Sequence, residues 1–122
     1  MNLIEKILGI RLLDGVLQYT NTNKWRPLVN SVDNRTTGFQ LELSDISKYI
    51  RINSADDVAV TISNLSFPVG GSVTFEQVGV GTITVSSSVN TVNGDPTTAG
   101  QYKCIQIIKV ADTTWTVIGG TT

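Results

Sequence analysis

Histidine is absent from the 122 residues, which removes the side chain that most often serves as general base near neutral pH. The Ser-His and Cys-His pairs of nucleophilic catalysis and every histidine metal site go with it. Cys104 is the single cysteine, so no intrachain disulfide can form and no cysteine cluster exists for zinc. Its expected place is as a small buried hydrophobe in the strand YKCIQII. No apolar run approaches the ~20 residues that span a bilayer. The opening MNLIEKILGIRLLDG lacks a positive leading region, carries Glu5 and Lys6 inside its apolar stretch and shows no small-residue cleavage site, so no signal peptide is read there. Charge of one sign is also lacking. The net charge is −1 and the 9 basic residues are scattered from Lys6 to Lys109, which gives no basic stripe for nucleic acid. The expectation is a chain with neither nucleic acid nor membrane as partner.

Short alternating runs make up most of what remains. Val58, Val60 and Ile62 share one face of DVAVTIS; Val73 and Phe75, Ile83 and Val85, and Trp115 and Val117 repeat the arrangement. Period two is what a strand with one buried face requires, and Val and Thr suit a pleated, half-buried surface. Turn residues punctuate the runs at 53–56, 68–71, 79–81, 93–96 and 111–113. This spacing predicts an all-β fold, a compact antiparallel β-sandwich or jelly-roll-like domain. Ile105, Ile107 and Ile108 place apolar groups on both faces of one strand, which predicts a path through the centre of the fold or along a subunit contact. Gly79 and Gly81 flank Val80 where a positive φ or a close backbone approach is needed. A lone GxG with no third glycine and no following helix is not a nucleotide motif.

The first third reads differently. Leu3, Ile7 and Ile10, widened by Leu8 and Leu12, form one stripe of a short helix, while Gly9 and Asp14-Gly15 favour an extended anchoring arm. Val16 to Tyr19, a turn over Thr20 to Asn23, and Lys24 to Leu28 read as a hairpin. The polar segment Asn30 to Gly38 reads as a connector. Two segments are expected: an N-terminal anchoring segment and hairpin over 1–34, and the β-sandwich or jelly-roll-like fibre domain over 35–122. No repeat of solenoid length is visible.

The stretch FPVGGSVTFEQVGVGTITV, then YKCIQIIKV, a polar turn and Trp115 to Gly119, resembles modules of bacteriophage short fibres and virion-decoration proteins. Phe67 to Gly70, Gln77 to Gly81, Tyr102, Lys109, Trp115 and Gly119 carry the likeness. DGVLQYTNTNKWRPL similarly looks like the segments that lead into a trimeric fibre module. The resemblance implies a structural protein of the virion, usually a homotrimer, made in the host cytoplasm and displayed on the particle surface. Its partners would be itself, the major capsid protein or a tail or portal component, and host surface glycans. The sequence shows no long shaft repeat, collagen-like run or separate tip domain, so a short head fibre or capsid decoration subunit is favoured over a full-length tail fibre.

Catalytic, cofactor and metal residues are therefore expected to be none, and the chain is not expected to be an enzyme. Asp56-Asp57 is the one adjacent acidic pair, and it reads as a solvated turn before Val58. The rival class is carbohydrate binding, as in a tail fibre or appendage that contacts a host receptor. Tyr19, Trp25, Tyr49, Trp115 and the Asn21 to Asn23 turn would supply rings to stack and groups to hydrogen-bond. For Trp115 the alternation with Val117 favours the core; Trp25 stays open between core and ligand.

Overall fold

The computed structural model describes residues 31–63 and 66–121 in full, and the backbone of 10–13, 16–21 and 24–27. The chain separates into two compact units, Met1–Asn30 and Ser31–Thr122. Every sheet is built from short strands, so the fold is all-β.

The first unit is an antiparallel sheet of β1 (Ile10–Leu13), β2 (Val16–Asn21) and β3 (Lys24–Pro27), in that order. Leu13 pairs with Val16, and Asn21 with Lys24, so both connections are two residues long. The expected hairpin is present with a shorter connection, since Thr20 and Asn21, expected in the turn, lie in β2. The helical stripe is corrected in part: Ile10 and Leu12 lie in β1, while Leu3, Ile7 and Leu8 fall outside the described residues. Asp-Gly is a favoured two-residue hairpin sequence, and it stands between the paired positions Leu13 and Val16. Pro27 ends the outermost strand, where a missing N–H costs no ladder bond.

In the second unit the chain lays strands alternately in two sheets. β4 (Val32–Arg35), β6 (Tyr49–Ile52) and β8 (Ser72–Gln77) are parallel neighbours in one sheet, with Val32 beside Tyr49 and Tyr49 beside Thr74. β5 (Phe39–Gln40), β7 (Val58–Thr61) and β9 (Ile83–Ser86) are parallel neighbours in the other, with Phe39 beside Val60 and Val60 beside Val85. This is a β-solenoid, and it corrects the antiparallel sandwich or jelly-roll expectation. A parallel pair needs a crossover connection, and each crossover here is a strand of the opposite sheet. After β9 the winding stops. β10 (Thr91–Asn93), β11 (Cys104–Ala111) and β12 (Thr114–Gly119) complete a six-stranded sheet of order β10-β12-β11-β8-β6-β4. There β11 is antiparallel to both β8 and β12, and β10 is parallel to β12.

The inward side chains of the two sheets form one apolar core that includes Ile50, Phe75, Val60, Ile83, Ile105 and Trp115. Alternation holds residue by residue along β8, and along β11 from Cys104 to Lys109. At roughly 25 cal/mol per Å² of apolar surface removed from water, this burial is the main stabilising term.

The corners stack as closely as the strands. Asn53 N–H donates to Arg35 O at 2.9 Å, Val78 N–H to Ile52 O at 2.9 Å and Gly81 N–H to Ser54 O at 2.9 Å, which carries the ladder round the bend. A Cβ on Gly79 or Gly81 would collide with the backbone of Ser54 or Asp56. Of the two uses expected for these glycines, close approach is the one realised. At the same corner Asp57 accepts a hydrogen bond from Thr82 N–H at 2.9 Å, and Asp56 is exposed.

Both ends of the winding carry polar devices. At the first coil Asp45, 2% exposed, closes a 3₁₀ turn (Leu43–Asp45) by accepting from Glu42 N–H at 2.9 Å. It also pairs with Arg35 at 2.7 Å and Lys48 at 3.3 Å, and both cations reach Asp33. The Arg35 guanidinium lies 4.1 Å over the centre of the Phe39 ring. At the last coil, residues 96–98 cover the free edge of β9: Val85 N–H donates to Pro96 O and Thr98 N–H to Ile83 O. The Thr98 hydroxyl accepts from Ile83 N–H at 2.9 Å and donates to Gln77 Oε1, whose amide donates to Gly79 O at 3.1 Å. The segment Asn30 to Gly38, expected to be a connector, supplies β4 instead, and β4 runs through residue 34 where the first segment was expected to end. Its alternation is faint because it is the outermost strand of its sheet and Val32 is exposed.

Candidate functional site

Among the described residues, the outer face of the six-stranded sheet gathers the largest set of interacting side chains outside the first coil. Because Ile50, Phe75 and Ile105 point inward, their neighbours Tyr49, Arg51, Thr74, Glu76, Cys104 and Gln106 point outward. Register then sets them in two rows: Tyr49, Thr74, Gln106 and Ile118 in one, and Arg51, Glu76 and Cys104 in the next.

A hydrogen-bonded chain joins Tyr49 of the first row to the second row. Tyr49 Oη donates to Glu76 Oε1 at 2.8 Å, and Arg51 Nε donates to the same oxygen at 3.1 Å. Cys104 Sγ lies 3.1 Å from Tyr49 Oη; with the phenol hydrogen committed to Glu76, the thiol is the donor in this contact. The Tyr49 hydrogen bond is the main force holding the Glu76 carboxyl below its ordinary range; desolvation opposes it and Arg51 adds to it. The Tyr49 phenol is pushed up from its ordinary value by its contact with Cys104, then by burial and by Glu76. A phenol that keeps its proton and a carboxylate that stays charged are matched to each other. They fasten β6 to β8 and β11, and neither is poised to take or give a proton near neutral pH.

Beside this chain lies an open groove of about 290 Å³ lined by Thr74, Cys104, Ile105, Gln106, Ile118 and Gly119. The Thr74 hydroxyl and the Gln106 amide, cross-strand partners on its floor, have no protein partner among the described residues. Ile118 stands 46% exposed at its rim.

Trp115 is 1% exposed and packs against the Phe67 ring at 5.0 Å between centroids, so it belongs to the core, as its alternation with Val117 indicated. Tyr49 lies on the outer face with its hydroxyl engaged. The side chains of Tyr19, Asn21 and Trp25, and residues 22–23, fall outside the described residues. Cys104 corrects an expectation: it is half-buried on the outer face, because Ile105 and Ile107 take the inward positions of β11. Ile108 does point away from them, so β11 is apolar on both faces, and it runs through the interior of the sheet between β8 and β12. Among the described residues no group of three or more His, Cys, Asp or Glu could hold a metal, and no helix is long and apolar enough to cross a membrane.

Sequence reasoning passed over Arg51, Glu76, Thr74 and Gln106. Their only local signal is alternation, Tyr-x-Arg and Thr-x-Glu, and what joins them is a register that appears once the parallel pairing is known. The chain matches no protein-family model and no curated protein.

Proposed function

We propose that the chain is a bacteriophage virion structural subunit, a short head fibre or capsid decoration protein that projects from the particle surface as a homotrimer. The reading rests on one observation: coils stacked in continuous register round glycine corners, with the β9 edge covered by residues 96–98. Stacking of this kind makes each coil depend on its neighbours and yields a stiff body. The outward ionisable groups of the six-stranded sheet are bonded to one another, which suits a surface that has to persist. The proposed partners are a second and third copy of the chain and the major capsid protein or a tail or portal component. The first unit is the proposed attachment segment.

Imaging of purified particles with the protein labelled tests this. Density at regular sites on the capsid supports the decoration reading, and density on a fibre or appendage moves the subunit to the tail. Its absence from purified particles sinks both. The mass of the native assembly separates a trimer from other states.

A further inference from the structure

The sheet of β5, β7 and β9 carries a groove of its own, and its lining differs in kind from that of the groove on the six-stranded sheet. Gln40 pairs in register with Thr61, and Thr61 with Ser86. Their side chains stand in one row across β5, β7 and β9, about 4.8 Å from strand to strand, and all three are exposed. With Ile62, Ser63, Ser87 and Ser88 they enclose about 270 Å³.

One wall of this groove is fixed in advance. Ser87 Oγ donates to Ile62 O at 2.6 Å and accepts from Asn90 N–H at 2.9 Å, while Asn90 Nδ2 donates to Ser63 O at 3.1 Å. In contrast, the side chains of Gln40, Thr61, Ser86 and Ser88 have no protein partner among the described residues. The groove therefore presents donors and acceptors in a row on a rigid support, which keeps the ordering cost of binding low.

Lining chemistry selects the ligand. Among the described residues no charged side chain lines the groove, so an ionic ligand would lose hydration without gaining a counter-charge. An apolar ligand would leave the hydroxyls and the amide unpaired. A ligand that offers many neutral hydroxyls exchanges water-mediated bonds for direct ones at little net cost. We propose that this groove binds a neutral carbohydrate, a short stretch of uncharged oligosaccharide laid across β5, β7 and β9 and held by Gln40, Thr61 and Ser86. The lining among the described residues has no aromatic ring, so the affinity these residues supply comes from hydrogen bonds and is modest. The site is independent of whether the subunit sits on capsid or tail.

The test is a two-dimensional amide NMR titration of the full chain with maltotetraose, chitotetraose and mannotetraose, and with a hyaluronan tetrasaccharide as the charged control. Saturable shifts at Thr61 and Ser86 with at least one neutral sugar, and none with hyaluronan, are expected. Thr61→Val combined with Ser86→Ala should weaken that binding roughly tenfold or more, with an unchanged thermal midpoint because both positions face solvent. Thr74→Val, on the other sheet, should leave it unaltered. The proposal is overturned if none of the neutral sugars shifts these amides at about 10 mM, well above the weak limit of useful affinity. Shifts that map to another surface, equal binding of hyaluronan, or a double variant that binds as before also overturn it. Particle incorporation of the double variant is scored separately, so loss of sugar binding and loss of the structural role are told apart.

Discussion

Lys109 donates from Nζ to the carbonyl oxygen of Phe67 at 2.7 Å from the inward side of β11, at 6% exposure. The ammonium takes the position that alternation reserves for an apolar residue after Ile105 and Ile107. The backbone on either side supports it: Lys109 N–H donates to Gly71 O at 3.0 Å and Gly70 N–H to Lys109 O at 2.7 Å. Lysine thus ties the turn at 67–71 to the sheet. Lys109→Ala removes the bond and leaves the Phe67 carbonyl buried without its donor, so a loss of about 2–3 kcal/mol is expected by urea denaturation. Lys109→Met, which keeps the packing of the stem, should lose less.

Thr98 joins Ile83 N–H to Gln77 Oε1 through one hydroxyl. Thr98→Val keeps the shape and strands both groups in a buried place, for which about 2–3 kcal/mol is expected; Thr98→Ser should recover most of it. Amide exchange reports the site directly, since the Ile83 amide should lose its protection in the valine variant.

Gly81→Ala places a methyl group against the Asp56 backbone, and relief requires two stacked corners to part. Overpacking of this kind costs about 1–3 kcal/mol, and more where only backbone can yield. Gly100→Ala is the control, because nothing lies within 4 Å of its added Cβ and its effect should lie within about 1 kcal/mol of zero. Equal thermal midpoints for the two variants would contradict the close stacking.

Acid should loosen the first coil. Burial alone would raise the Asp45 carboxyl, but the Glu42 N–H and the Arg35 and Lys48 cations outweigh it and hold it below its ordinary 3.8. Asp33 is held down by Lys48 and then Arg35. Groups whose folded pKa is depressed contribute stability that is complete above the unfolded value and is lost as pH falls through the folded one. Stability should therefore decline below about pH 4 and not between pH 5 and 8. Asp45→Asn should remove roughly 3 kcal/mol at neutral pH and flatten the acid slope measured by denaturant titration.

Tyr49→Phe deletes the centre of the chain from Cys104 to Arg51. The expected loss is about 1 kcal/mol, together with faster labelling of the Cys104 thiol by an aromatic disulfide reagent, because its hydrogen-bond partner is gone. An unchanged labelling rate would show that Tyr49 does not restrain the thiol.

The strands from Val58 to Ser86 and from Cys104 to Gly119 were legible in the sequence because Val60, Phe75, Val85, Ile107 and Trp115 alternate with polar neighbours. Their direction was not. Period two describes one buried face and is the same for a parallel or an antiparallel partner. The winding was hidden by its unequal coils: Val32, Tyr49 and Thr74 are stacked in space at different separations along the chain. β4 was missed because an outermost strand of Val, Asp, Asn and Arg carries little apolar signal. Of the outer-face chain, only Tyr49 and Cys104 drew notice, and each for a different reason from the one that unites them.

Residues 96–98 close β9 at the last coil, whereas β4 and β5, the outermost strands of their two sheets, lie at the first coil. The stack therefore has a finished end and an extensible one. A duplicated turn of chain placed ahead of β4 would meet backbone amides and carbonyls without a strand partner among the described residues of the second unit, while the same insertion after β9 would have to displace Thr98 from its buried post. Lengthening of such a subunit, by evolution or by engineering, is directional.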